Sequence, residues 1–202
     1  MPISRALDLS LYLVLDPDLC GGEAGMIRTA VEAAAGGASI IQLRTPSWKK
    51  RREAECARAL LQALRPLGVP LIIDDDADVA LAVQADGLHI GQDDLSPEDA
   101  RRLLGPDKII GLSVGSISEA EAVPRSLVDY VGIGPVYATQ TKKDAGAALG
   151  LEALAQLRQL AALPAVAIGG IKRHNIADVA AHGARCCALV SELVGAPDIQ
   201  AR

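Results

Sequence analysis

Two acidic runs stand out first among residues able to do chemistry: Asp74-Asp75-Asp76, and Asp93-Asp94 at the end of Gly91-Gln92-Asp93-Asp94. Paired carboxylates, completed by phosphate oxygens and water, make a hard-oxygen set that suits Mg²⁺. Asp also favours solvated turns and helix N-caps, so either run has a plainer reading as a turn. Gln42 and Arg44 form a second constellation. Two apart on a strand, they face the same way and offer an amide and a forked guanidinium to a heteroaromatic or phosphorylated ligand. The alternative is an interior Arg–carboxylate pair. A third cluster is Thr139-Gln140-Thr141-Lys142-Lys143-Asp144. The last is Gly169-Gly170 with Ser191 further on, where backbone N–H groups can hold phosphate, or where the glycines simply allow a tight turn at φ > 0.

These groups need elements to position them, and the chain supplies short β-branched runs alternating with Ala/Leu-rich stretches. Strands are predicted at Leu11–Leu15, Ser39–Leu43, Val69–Ile73, Gly87–Ile90, Lys108–Leu112, Tyr130–Ile133, Ala165–Ile168 and Cys186–Val190. Helices are predicted at Ala24–Ala35, Trp48–Leu67, Ala77–Gln84, Pro97–Leu104, Ser118–Val123, Leu151–Leu160 and Asn175–His182. Little beyond Gly195–Arg202 remains for an eighth helix, which is expected to be short or cut away. Such alternation demands a parallel sheet, since each parallel neighbour requires a crossover. Eight units in 202 residues suit an eight-stranded (β/α)₈ TIM barrel, a single domain over 1–202. Functional side chains should then follow the strand C-termini, as the clusters above do, with Ser113 closing the fifth strand.

Net charge is −5 without a basic stripe, and the aromatics are Trp48, Tyr12, Tyr130 and Tyr137 alone, which argues against nucleic acid as partner. No apolar run spans a bilayer and the start lacks a leader pattern, so a cytoplasmic protein is expected. Cys20, Cys56, Cys186 and Cys187 match no zinc or disulfide spacing and read as small buried hydrophobes. His89 sits in an apolar strand as a structural residue; His174 and His182 mark helix ends, and none is assigned to catalysis.

In order along the chain come LYLVLDP at 11–17, IIQLR at 40–44, ADGLHIGQDD at 85–94, GLSVGS at 111–116, YVGIGPVYATQTKKD at 130–144 and AVAIGGI at 165–171. Together they resemble the thiamine phosphate synthase family over nearly the whole length. The resemblance implies a TIM barrel that couples a pyrimidine diphosphate with a thiazole phosphate, releasing pyrophosphate with Mg²⁺ as cofactor. It implies Asp75 and Asp94 as metal ligands, and Gln42, Arg44, Asp74, Ser113 and Lys142 beside the pyrimidine diphosphate. Arg44, Lys142 and Ser113 would be the catalytic groups. Thr139, Thr141, Gly170 and the Val190-Ser191 backbone would form the thiazole phosphate pocket. The two substrates are the expected partners, with no membrane, no nucleic acid and a homo-oligomer left open.

Two positions depart from the family pattern. Pro46 stands where Gln-x-Arg-x-Lys has its lysine, and Asp74 stands where an asparagine usually precedes the metal-binding aspartate. Both changes shift charge in the negative direction on the diphosphate side, and Lys49 or Lys50 is the candidate replacement cation. A related thiazole tautomerase lacks the paired aspartates and carries histidine at the position of Gly115, so it fits less well. A non-catalytic thiazole phosphate-binding relative draws its support from Pro46 and Asp74 alone.

Overall fold

The computed structural model describes residues 7–139, 141, 146–184, 186–194, 196 and 198–199. Strands β1 (Leu11–Leu15), β2 (Ile40–Leu43), β3 (Leu71–Asp74), β4 (Gly87–Ile90), β5 (Ile109–Val114), β6 (Tyr130–Ile133), β7 (Ala165–Ile168) and β8 (Cys186–Leu189) pair in chain order. Every pairing is parallel and β8 returns to β1, so the sheet closes into the expected barrel. Around it run α1 (Pro17–Cys20), α2 (Glu23–Ala35), α3 (Lys50–Leu64), α4 (Ala77–Val83), α5 (Pro97–Leu104), α6 (Ile117–Ala122), α7 (Gly150–Ala161) and α8 (Ile176–Ala181). Among the described residues no helix follows β8; Ser191–Val194 form turns. No helix among them is long and apolar enough to cross a membrane.

The period-two alternation of the strands sorts side chains into two cores. Leu13, Leu15, Ile41, Leu43 and Ile73 face outward and pack with helical residues such as Met26, Ala30, Leu60 and Leu64. Tyr12, Val14, Ile40, Ile72, Tyr130 and Val166 face inward and fill the barrel. Truncating one of the fully buried outward leucines to Ala would cost about 2–5 kcal/mol. Cys20, Cys56, Cys186 and Cys187 are free and buried, as expected. Burial pushes the thiols of Cys56 and Cys187 up to about 12 and about 11, leaving them protonated.

Where element ends differ from expectation, local chemistry explains them. The predicted helix Trp48–Leu67 begins at Lys50, because the Trp48 N–H closes a turn on the Thr45 carbonyl at 2.9 Å. It gives way to a 3₁₀ turn at Arg65–Leu67, where Pro66 has no N–H to continue the α-helical ladder. β5 runs on to Val114, so Ser113 lies inside the strand and not at its end. β3 extends to Asp74, which therefore belongs to the sheet. α1 was not predicted. Asp16 caps it by accepting from the N–H groups of Asp18 and Leu19 at 3.0 and 3.1 Å, Pro17 holds the first position and Gly21 closes it at φ 73°. The Asp-Pro…Gly pattern was its sequence signal.

Candidate active site

A cavity of about 300 Å³ opens at the C-terminal ends of the strands. Gln42, Arg44, Asp74 and Ser113 line one side; Thr139, Thr141, Gly170, Val190 and Ser191 line the other. Asp75 and Asp94 are not among its lining residues, and Lys142 lies outside the described residues.

On the first side, β2 presents Gln42 and Arg44 inward as the strand period requires. Arg44 Nε lies 3.3 Å from Asp74 Oδ2, with both side chains largely buried. The interior Arg–carboxylate pair and the cavity-lining guanidinium are thus the same arrangement. Part of the Arg44 charge is neutralised before any ligand arrives.

Asp75 follows β3 at φ 59°, a left-handed backbone that Asp and Asn tolerate better than most residues, and its N–H donates to the His89 carbonyl at 2.8 Å. Asp94 Oδ2 accepts from the Gly91 N–H at 2.7 Å, which folds the loop after β4. The two carboxylates follow neighbouring strands, and their oxygen chemistry fits a hard divalent ion that takes its remaining ligands from phosphate and water. Among the described residues no group of three or more acidic, Cys or His side chains could by itself hold a metal. Neither Lys49 nor Lys50 lines the cavity. Lys50 pairs instead with Asp76 and, at 3.7 Å, with Asp78. Behind this loop Glu53 is 1% exposed. Burial pushes its carboxyl up to about 7; the Lys50 ammonium pulls it down, while Asp78 and Asp75 push it further up.

On the far side the backbone dominates. Gly169 and Gly170 adopt φ 95° and 64°, so the tight turn is real. A Cβ at Gly170 would meet the Ala138 carbonyl oxygen and Tyr137 Cβ, each at 2.7 Å, which shows how closely the turn approaches the loop after β6. Asn175 pins the turn, donating to the Gly170 carbonyl at 3.1 Å and accepting from the Lys172 N–H at 2.7 Å. Thr139 Oγ1 accepts from the Thr141 N–H at 3.3 Å.

Several cavity residues escaped the sequence reasoning. Lys172 lines the pocket, donating to Ser191 Oγ at 2.8 Å and pairing with Glu192 at 3.5 Å. Its signal was its place two residues after Gly170. Tyr12, Tyr130 and His89 form the cavity floor. His89 is structurally satisfied, as expected, with Nδ1 3.0 Å from Tyr130 Oη and Nε2 2.9 Å from Ser113 Oγ, yet it lies in the site. Burial holds both tyrosine hydroxyls well above their usual range, so they stay protonated. Only the inward period could have marked them.

A closed parallel barrel with a mixed polar and apolar cavity at its strand C-termini has the architecture of the (β/α)₈ enzymes, which carry their active sites at that face. Within that class, the chain belongs to the thiamine monophosphate synthase family, whose model matches residues 11–193. The thiamine-phosphate synthase of Azorhizobium caulinodans is 55% identical over 192 residues, covering 95% of this chain and 90% of that one. That of Laribacter hongkongensis is 50% identical over 196 residues, covering 97% and 92%. The solved thiamine phosphate pyrophosphorylase from Pyrococcus furiosus superposes with a TM-score of 0.85 at 36% identity, covering 96% of this chain and 91% of that one.

Proposed function

We propose that this barrel, a single domain over 1–202, is a transferase making thiamine phosphate. It joins 4-amino-5-hydroxymethyl-2-methylpyrimidine diphosphate to hydroxyethylthiazole phosphate and releases pyrophosphate. Family membership supports the coupling of the two ring systems. The observation that carries the site assignment is one cavity faced by Gln42, Arg44, Asp74 and Ser113 on one side and by Thr139, Thr141, Gly170, Val190 and Ser191 on the other.

On this reading the pyrimidine diphosphate lies against the first group and the thiazole phosphate against the second. The bond from the methylene carbon to the diphosphate oxygen breaks with its electron pair leaving on pyrophosphate. The thiazole nitrogen lone pair then forms the new carbon–nitrogen bond. Arg44 and Lys142 stabilise the leaving diphosphate electrostatically, which is the main demand of such a step. Asp75 and Asp94 would hold Mg²⁺, which supplies further charge stabilisation to the diphosphate when bound. Ser113 contacts the pyrimidine, and the cavity walls keep water from the pyrimidine-methyl cation left by that cleavage before the thiazole reaches it. The substrates are soluble phosphorylated compounds, and we assign the enzyme to the cytoplasm.

Purified protein given both substrates should release thiamine phosphate and pyrophosphate in equal amounts, and chelation of Mg²⁺ should stop both. Absence of either product with Mg²⁺ present would refute the assignment. Undiminished turnover in chelator would remove the metal from it.

A further inference from the structure

Five side chains from five strands are linked across the barrel floor. Gln42 Nε2 lies 3.1 Å from Tyr12 Oη, Tyr12 Oη 2.8 Å from Tyr130 Oη, Tyr130 Oη 3.0 Å from His89 Nδ1, and His89 Nε2 2.9 Å from Ser113 Oγ. The interior is carved to hold them. A Cβ on Gly111 would stand 2.2 Å from Tyr130 Cζ and 2.5 Å from His89 Nδ1, and one on Gly132 would stand 3.0 Å from His89 Cε1.

Each hydroxyl has one proton to give, and an amide nitrogen can only donate. Run from Ser113 backwards, the chain would have Tyr12 accepting from both Gln42 and Tyr130 and would leave the proton of this buried hydroxyl no acceptor within it, so the chain has a direction. Gln42 donates to Tyr12, whose own proton then goes to Tyr130. Tyr130, already accepting from Tyr12, gives its proton to His89 Nδ1. A neutral imidazole that accepts at Nδ1 carries its hydrogen on Nε2, which donates to Ser113. The Ser113 hydroxyl proton is then left to point into the cavity. An imidazolium would donate at both nitrogens and leave the Tyr130 proton without an acceptor in the chain. Burial keeps both phenols protonated, as the relay requires.

We infer that this one-way chain, Gln42 to Tyr12 to Tyr130 to His89 to Ser113, fixes the Ser113 hydroxyl as a hydrogen-bond donor toward the ligand. Tyr12, Tyr130 and His89 are then positioning residues, acting through Ser113. A ligand atom seated on Ser113 must carry a lone pair, as an aromatic ring nitrogen does and an amino N–H does not. Gln42, at the other end, keeps its amide oxygen as an acceptor. Donor and acceptor at the two ends match an aminopyrimidine edge, and this last consequence rests on the proposed transferase reading.

The test is the His89 tautomer in ligand-free protein labelled with ¹⁵N-histidine, measured by two-bond ¹⁵N–¹H correlation. His174 and His182 are assigned by His174→Gln and His182→Gln. The Nε2–H tautomer is expected; the Nδ1–H tautomer, or a doubly protonated ring, overturns the inference. No substrate is present, so this outcome is independent of whether the transferase assignment stands. A second arm uses Tyr130→Phe, which keeps the ring and cuts the chain. Calorimetry should show pyrimidine diphosphate binding weakened about tenfold, the worth of one well-made hydrogen bond, with thiazole phosphate binding unchanged. Equal loss for both ligands, or loss for neither, in a folded variant would show that the chain packs the barrel without orienting Ser113.

Discussion

The two halves of the barrel mouth are built on different principles. The tips of β2, β3 and β4 present side chains and charge: the Arg44–Asp74 pair, Asp75 and Asp94, with Lys50 bound to Asp76 and Asp78 behind them. The tips of β6, β7 and β8 present mostly backbone, through Gly169 and Gly170 at positive φ and the Val190-Ser191 turn, with Lys172 held between Ser191 and Glu192. A side-chain site can drift by single substitutions, because each charge is independently replaceable. A backbone site resists them, since any added Cβ breaks the turn itself. Pro46 and Asp74, the two positions read from the sequence as departures from the family pattern, both lie on the side-chain half.

The largest effect should come from the acidic half. Asp75→Asn or Asp94→Asn keeps the loop geometry and removes one charge. Turnover at limiting Mg²⁺ is expected to fall on the order of a thousandfold, the scale of several kcal/mol of lost charge stabilisation. Rates near wild type, with circular dichroism unchanged, would take both carboxylates out of the metal assignment.

Next is the stability of the same half. The Glu53 carboxyl, raised from 4.5 to about 7, binds its proton more tightly folded than unfolded. Its contribution is therefore full below about pH 4.5 and is lost as pH rises to about 7, a change of about 3 kcal/mol. Denaturant unfolding at a series of pH values should show this decline in wild type and a flatter profile in Glu53→Gln. An identical slope in both would assign the decline elsewhere.

The backbone half is broken by Gly170→Val. The side chain would require φ 64° from a β-branched residue and sit 2.7 Å from the Ala138 carbonyl. Thiazole phosphate binding by calorimetry should weaken about a hundredfold or more, the scale of about 3 kcal/mol. Unaltered affinity in a folded variant would place the phosphate elsewhere.

The smallest effect sharpens the contrast. Asp74→Asn should free Arg44 for the diphosphate, and Pro46→Lys should add a cation, each improving pyrimidine diphosphate affinity about tenfold while thiazole phosphate affinity stays put. Because Lys50 is engaged with Asp76 and Asp78, Lys50→Ala should hardly change either affinity. A large loss of diphosphate binding in Lys50→Ala would mean that this lysine swings in as the substitute cation.

Much of this was legible in the chain. Hydrophobic alternation located all eight strands, since a strand packed on both faces must be apolar wherever it runs. The ordered clusters at strand ends named Gln42, Arg44, Ser113, Thr139, Gly170 and Ser191, all of which share the cavity. Element ends were less legible because they turn on single hydrogen bonds, such as Trp48 N–H to the Thr45 carbonyl. α1 is only four residues long, too short to show a period, and only its caps could announce it.

By itself, then, the sequence determined the parallel (β/α)₈ order, the family and which strand tips carry polar groups, because these follow from local pattern and motif. Tertiary closure decided who meets whom. Tyr12 and Tyr130 are 118 residues apart and their hydroxyls lie 2.8 Å apart, which no periodicity could reveal. Closure also brought Arg44 to Asp74, committed Lys50 to Asp76 and Asp78, and joined His89 to Ser113. Such pairings depend on how eight strands converge on one axis, and that convergence exists only once β8 has met β1.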